Sequence, residues 1–385
     1  MTKNPKKAWV CAGIHALLMA AGPSSNVCGQ SYTVVDLGKF TVAAALHDSG
    51  EVVGDVRVDG GHTHAFLYSN GQLHDLGAMG GTTSVAKGVN ATGQVVGFFR
   101  TDDPANKHGF QIRGFIYSNG VMQTIDLAGQ PTGTSGMYQA DDINSLGQVA
   151  AERVGQHGCI WSPDKIVALG TFVPKGMGFP MGKRVYEDGH TEVTTSFEEG
   201  YVVPSRINNA GEVVGLAKTA NGDQHAFLYS QGQLRDLSLP GWENSQAKDI
   251  NNRGQVVGAY RVEIGKFRPF LYNGGKITDL GVPAGYDLCG ANGINASGQI
   301  VGDVSNVTVS GFARADIEGY PILFEDGRWI DLRTRVNLAG SGLTVLLSAD
   351  RINARGQIIG KAMGPDAYHA YLLTPLSMEI GRDKP

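Results

Sequence analysis

One short phrase recurs along this chain, and a repeat constrains a fold tightly because every copy must build the same local structure and stack on its neighbours. The phrase reads DSGEVVG at 48–54, NATGQVVG at 90–97, NSLGQVAA at 144–151, NNAGEVVG at 208–215, NNRGQVVG at 251–258, NASGQIVG at 295–302 and NARGQIIG at 353–360, with the first copy one residue shorter in its turn. Its glycines at 50, 93, 147, 211, 254, 298 and 356 are spaced by 43, 54, 64, 43, 44 and 58 residues, a base period of 43 or 44 with insertions. Two further phrases keep step: an aromatic run such as HAFLYSNG at 64–71 or HAFLYSQG at 225–232, and an Asp-Leu run as at 74–77 and 235–238.

Each unit reads as four short strands, A to D. In the second copy these are Ser84 to Val89, Gln94 to Phe99, Gly114 to Tyr117 and Val121 to Leu127. Val, Ile, Phe and Tyr dominate B and C, as a pleated packing surface prefers. Asn-x-x-Gly between A and B, and Asn-Gly between C and D, are tight hairpin signals, because Asn and Gly accept the positive φ such turns need. No segment sustains a helical period.

Units of this length with four antiparallel strands match propeller blades, in which radial repetition leaves only short edges; a linear stack is the alternative. The chain ends favour the ring. The last unit has A (Leu347 to Ile352), B (Gln357 to Lys361) and C (His369 to Leu373) but no D, whereas Tyr32 to Gly38 is a D phrase without the rest of its unit. A seven-bladed β-propeller of four-stranded antiparallel blades, closed by the N-terminal strand completing the last blade, is therefore expected; an open stack would leave strand edges unpaired at both ends.

The His-Ala-Phe triplets at 64–66 and 225–227, with His369-Ala370-Tyr371, resemble the HAF-repeat family of bacterial extracellular proteins, and the resemblance spans about residues 32 to 375. It implies export and repeat architecture and brings no activity with it. Three copies depart from the triplet, with Phe115, Phe270 and Leu323 near the Phe place and Gly114, Pro269 and Pro321 at or near the His place.

The first 29 residues read as a secretory signal peptide: Lys3, Lys6 and Lys7, then an apolar run from Ala8 to Ala21, then a small polar exit to Gly29. That run is short of the ~20 residues a membrane-spanning helix needs. The expected organisation is signal peptide 1–29, propeller 30–376 with an insertion at 171–203, and a tail at 377–385. Losing the three lysines of 1–29 moves the net charge from −4 to −7, which disfavours nucleic acid and anionic membrane as partners. A secreted or periplasmic monomer, without membrane insertion after cleavage, is expected. Of the cysteines, Cys159 and Cys289 remain, in different units, and read as buried thiols.

His64, His225 and His369 occupy equivalent places, which spread around a ring instead of converging, so a structural role is expected. The repeated Asn residues, with Asp48 in the first copy, read as side-chain caps of tight turns. The glycines ending strand B, such as Gly97 and Gly258, read as room for a neighbouring blade. Strand A is expected innermost. Its varied positions, Gly88, Asp142, Arg206, Asp249, Gly293 and Arg351 in one register and Lys87, Asp141, Ser205, Lys248, Asn292 and Asp350 in the next, either line a channel that holds an ion or acidic sugar or form salt bridges between blades.

Loops of an up-and-down sheet alternate between its ends, so the tight A-to-B and C-to-D turns share one face and the variable B-to-C and D-to-A loops share the other, where binding residues concentrate. The longest, Thr171 to Val203, carries Arg184, Tyr186 and His190 and reads equally as a ligand lid or as an extra hairpin over an edge. The candidate ligand-binding residues are thus Arg184, Tyr186, His190, Lys87, Asp142, Arg206, Asp249 and Arg351, with no catalytic set, metal site or cofactor expected. Two functions remain: a non-enzymatic module binding a glycan, peptide or surface protein, or a propeller enzyme, lyase or hydrolase, acting on a polysaccharide.

Overall fold

The computed structural model describes residues 31–104, 109–125, 138–153, 158–173, 179–185, 191–196, 200–306 and 319–376. The expected signal segment at 1–29 and the tail at 377–385 lie outside them. The described chain is all-β, in several sheets whose strands pair antiparallel within each unit, with single parallel bridges between some units. In the second unit the order is Thr83–Val89, Val95–Asp102, Phe110–Ser118 and Val121–Thr124, each strand antiparallel to the next. The same order recurs in the groups that begin with Thr41–Leu46, Tyr138–Ile143, Val202–Ile207, Ser245–Ile250 and Leu288–Ile294. In the last group strand A is broken into Val345–Leu346 and Arg351–Ile352, and Ile358–Met363 and Tyr368–Pro375 follow. Tyr32–Lys39 pairs antiparallel with Tyr368–Pro375, from Tyr32 opposite Pro375 to Asp36 opposite Tyr371.

Five of the C-to-D turns are two-residue hairpins with both central residues at positive φ, as at Asn70-Gly71 and Asn119-Gly120, the backbone that follows the twist of the flanking strands, while the third unit turns through Pro163-Asp164. The A-to-B turns are held by the repeated Asn. Asn90 Oδ1 accepts from the amides of Thr92 and Gln94, while its Nδ2 donates to Gln94 Oε1 and to the Asn144 carbonyl of the next unit. The cross-unit bond repeats from Asn144 to Asn208, Asn208 to Asn251, Asn251 to Asn295, Asn295 to Asn353, and Asn353 to the carbonyl of His47. The residue equivalent to Asn in the first copy is therefore His47 and not Asp48. Its turn has the same length and backbone bonds as the others, His47 N to Glu51 O and Gly50 N to His47 O.

Every inner strand before the last unit carries a β-bulge: the register shifts between Ala43 and Ala45, Ala86 and Gly88, Ala140 and Asp142, Pro204 and Arg206, Ala247 and Asp249, and Ala291 and Gly293. A bulge sets two residues opposite one and re-aims side chains, so neighbours that strict alternation would send to opposite faces both reach the inner side. The bulge also corrects the reading of the strand-B glycines. A Cβ on Gly258 would stand 1.9 Å from the Gln246 carbonyl oxygen and 2.9 Å from the Phe270 ring, both in the same unit; Gly54, Gly97, Gly215, Gly302 and Gly360 are closed off in the same way by their own strand A. The room is needed inside the blade and not between blades.

Hydrophobic clusters lie between consecutive units. One joins Leu228 and Leu237 to Tyr260, Phe270 and Tyr272, and another joins Ala370 and Leu372 of the last unit to Ala43, Val52 and Phe66 of the first. Phe66, Phe115, Phe227, Phe270 and Tyr371 are fully buried, and truncating one of them to Ala costs about 3–5 kcal/mol.

The Phe–Asp pairing of strands C and D fixes the alignment of the triplets. Phe66, Phe227, Phe270 and Ile322 stand opposite Asp75, Asp236, Asp279 and Asp331. The His place is thus taken by Arg268 and Tyr320, and Ile322 takes the Phe place where Leu323 was expected. His64, His225 and His369 donate through Nδ1 to Asp75, Asp236 and Asp36 at 2.9, 2.7 and 2.8 Å. Arg268 Nε meets Asp279 at 2.9 Å in the same way. Each of these aspartates also caps the end of its strand, as Asp75 does by accepting from Gly77 N. The repeated His is a cross-strand tie.

Candidate functional site

Inner strands and their bulges gather charged side chains around an axial cavity. At the A-to-B turn end it has a volume of about 210 Å³, and residues of every unit line it, among them Asp142, Arg206, Asp249 and Arg351. The two carboxylates are committed to the scaffold: Asp142 Oδ2 accepts from Ile207 N, and Asp249 accepts from Ile250 N and Ile294 N. Arg206 donates to the carbonyls of Ser205 and Ala44, the latter in the first unit, and Arg351 donates to those of Asn292 and Asp350. Burial, reinforced by Arg206, pushes the Arg351 guanidinium down to about 10, and its Nε has no partner.

Deeper along the axis a second compartment of about 360 Å³ is lined by Lys87, Arg206, Lys248, Arg351 and Lys361, with Asp350 as its carboxylate. Lys248 Nζ donates to Asn292 Oδ1 at 2.7 Å. Burial lowers the Lys248 ammonium and raises the Asp350 carboxyl. To one side, Asp141 and Glu152 are bridged by the Gln139 amide, and each keeps an unpartnered buried oxygen. Burial, then the charge of Glu152, hold Asp141 well above the usual carboxylate range, and burial pushes Glu152 up to about 7.

A third cavity, about 430 Å³, opens at the other end of the strands, between the fourth, fifth and sixth units. At this end strand C of one unit and strand A of the next share a single parallel backbone bridge near their starts, Gln224 with Asn244 and Phe267 with Leu288. Phe267, Arg261, Gln224 and Asn244 form its rim, and Lys248 and Asp303 lie at its base. Arg261 is anchored to Glu243 at 2.8 Å and Gln224 to the Tyr201 hydroxyl at 2.6 Å. Phe267 stays 37% exposed, an apolar ring offered to solvent at the mouth of the pocket.

The structure thus brings Asp142, Arg206, Asp249 and Arg351 together, with Lys87 one layer deeper. It leaves the 171–203 candidates apart: Phe179–Val185 and Thr191–Ser196 pair as a separate two-stranded sheet, with Arg184 opposite Glu192 in the backbone register, and Tyr186 and His190 lie outside the described residues. Sequence reasoning missed Lys361 and the Arg261 and Phe267 rim. Lys361 follows the glycine that ends strand B, a place held by Asp55, Phe98, Glu152 and Asp303 in other copies, and variation of charge there was a usable signal. Among the described residues no group of three or more His, Cys, Asp or Glu is placed to hold a metal, and none of their helices is long and apolar enough to cross a membrane. Cys159 and Cys289 are buried free thiols, raised by burial to about 11 and about 12.

No family model matches the chain, and no curated protein does. Among solved structures, similar ones include the β-propeller domain of the trilobed protease from Pyrococcus furiosus, with 8% identity, a TM-score of 0.47, and coverage of 90% of this chain and 100% of that one. YCF48 bound to D1 peptide matches with 11% identity, a TM-score of 0.45, and coverage of 90% and 95%. TolB from Acinetobacter baumannii matches with 12% identity, a TM-score of 0.37, and coverage of 90% and 80%. At such scores none of them says what this chain does.

Proposed function

We propose that the chain is an exported, closed seven-bladed β-propeller of the HAF-repeat type, and that it serves as a binding module for an extracellular glycan. Closure is supported by the pairing of Tyr32–Lys39 with Tyr368–Pro375, by the bond from Asn353 to His47, and by Thr41 of the first unit, which accepts from Ala370 N of the last at 2.9 Å. Ser84 and Ser245 play the part of Thr41 at other junctions, accepting from Ala65 N and Ala226 N at 2.8 Å.

The observation that carries the binding reading is the cavity between the fourth and sixth units, at the end where the variable loops lie. Its volume of about 430 Å³ falls in the range of small-ligand sites, which run from about 300 to 1,000 Å³. An exposed aromatic ring beside guanidinium and amide donors suits a sugar, whose C–H face stacks on the ring while its hydroxyls take the hydrogen bonds.

The test is a glycan array probed with the chain from Gln30 onward, followed by calorimetric titration of any hit. Phe267→Ala and Arg261→Ala are expected to weaken binding tenfold or more with little change in melting temperature. Binding that survives both substitutions but is abolished by Asn119→Ala, on the tight-turn face, would place the site at the wrong end. Export is tested separately, by the N-terminus of the native protein, which should lie near Gln30.

A further inference from the structure

The side chains lining the axial compartment are unbalanced in charge. Lys87, Arg206, Lys248, Arg351 and Lys361 come from four different units and face one space of about 360 Å³ with the single carboxylate of Asp350. Among the described residues none of the five lies within 4.0 Å of a carboxylate, although other cations of the chain do find such partners, as Arg261 and Arg268 show. Their contacts are to carbonyl and amide oxygens: Arg206 to Ala44 and Ser205, Arg351 to Asn292 and Asp350, Lys248 to Asn292. The Arg351 Nε is buried with no partner at all.

Burying a cation without an anion is costly, and cations at a scaffold position serve stability best when paired. Here they are drawn together instead, and the nearby acids act on them only from beyond ion-pair distance, Asp55 on Lys87 and Lys361 and Asp303 on Lys248. Asp142 and Asp249 are spent on backbone amides of the following units, and Asp141 and Glu152 hold each other through Gln139. Lys361 is exposed, so the compartment is reachable from solvent.

We infer that the axial compartment is a binding site for a small multivalent anion, whose carboxylate or phosphate oxygens would bridge cations contributed by different units. Guanidinium and ammonium donors converging from several directions suit an anion with charge on more than one side, and a single chloride would satisfy few of them. The room, about twelve waters at ~30 Å³ each, admits a compact polyanion. The site is separate from the glycan reading, touching that cavity only through Lys248 and Gln246.

The experiment is calorimetric titration of the chain with inorganic phosphate, citrate and digalacturonate in parallel, at matched ionic strength, because sulfate-like anions also stabilise proteins generally by exclusion. Saturable binding of one equivalent is expected for at least one probe, and which one binds identifies the source of the oxyanion. Lys87→Gln and Lys361→Gln should each weaken it about tenfold or more, as loss of a charge-assisted hydrogen bond does. Asp350→Asn, which removes the opposing charge and leaves every cation in place, should strengthen it, and it carries the test if a lysine variant fails to fold. Phe267→Ala should leave anion affinity unchanged, which separates this site from the glycan pocket. No saturable binding of any probe, or binding indifferent to Lys87→Gln, Lys361→Gln and Asp350→Asn alike, overturns the inference.

Discussion

His47→Asn should stabilise the chain. An Asn in the A-to-B turn makes four bonds: Asn251 accepts from the amides of Arg253 and Gln255 at 3.0 and 3.1 Å, and donates to Gln255 Oε1 at 2.8 Å and to the Asn295 carbonyl at 2.9 Å. His47 makes weaker substitutes: Nδ1 contacts the Ser49 hydroxyl at 2.5 Å and the Ser49 amide at 3.3 Å, and stands 3.6 Å from the Glu51 carboxylate. No bond reaches from it to the Asn90 carbonyl of the second unit, so this junction lacks the tie that the other turns provide. The turn backbone is already correct, so the exchange gains about two net hydrogen bonds at roughly 1 kcal/mol each, about 2 kcal/mol in all. The reciprocal Asn251→His should lose a similar amount. Urea unfolding followed by tryptophan fluorescence measures both, with an unchanged slope showing that stability and not compactness has changed. A His47→Asn protein no more stable than its parent, beside an Asn251→His protein that loses nothing, would refute the view that these side chains hold the units together.

Gly258→Ala should destabilise by about 3 kcal/mol, because the new methyl collides with the Gln246 carbonyl at 1.9 Å and the bulged strand must move; unfolding in urea reports it, and a loss below 1 kcal/mol would contradict the packing argument. Glu152→Gln should flatten the pH dependence of stability. Burial, opposed by the Gln139 amide and Lys87, raises the Glu152 carboxyl from 4.5 to about 7, so the folded chain holds this proton more tightly than the unfolded one. That contribution is complete below about pH 4.5 and is lost as pH rises through about 7; at 1.36 kcal/mol per pK unit it amounts to at most about 3 kcal/mol, and solvent screening of this partly buried group brings it nearer to about 2. Parent and variant curves that run parallel from pH 4.5 to 8.5 would exclude it.

The strands and turns were legible because their requirements are local. Asn70-Gly71 and Asn119-Gly120 announce a positive-φ hairpin whatever surrounds them, and the β-rich runs between need only a face to bury. The bulge was not legible, since nothing in Ala86-Lys87-Gly88 marks an extra residue until its partner strand is in place. The strand-B glycines show the consequence: a sequence assigns their room to the neighbouring blade, whereas the paired strands of the same unit take it up. Aligning the first copy on Asp48 hid His47, because side-chain chemistry was matched before spacing from the glycine. The channel charges were nameable from their variation, but the companions that decide their state, such as the Ile207 and Ile294 amides that occupy Asp142 and Asp249, come from the next unit and appear only with the packing. The cavity at Phe267 lies between strands of different units, and a sequence does not print how these pack.

The bulged inner strand also divides labour within the repeat. Asn, Gly and the buried aromatic are bound to folding, whereas the residue just past the bulge is Ala45, Gly88, Asp142, Arg206, Asp249 or Gly293, and Arg351 stands at the matching place of the last unit, with no size or charge in common. A duplicated unit therefore inherits a fixed frame and one position that answers to its neighbour. A Cβ at Gly88 would stand 2.8 Å from Asp142 Oδ1 and one at Gly293 would stand 3.0 Å from the Arg351 Cα, so what one copy can carry there depends on the residue in the next, and the shared interior changes by pairs of adjacent copies rather than by single residues.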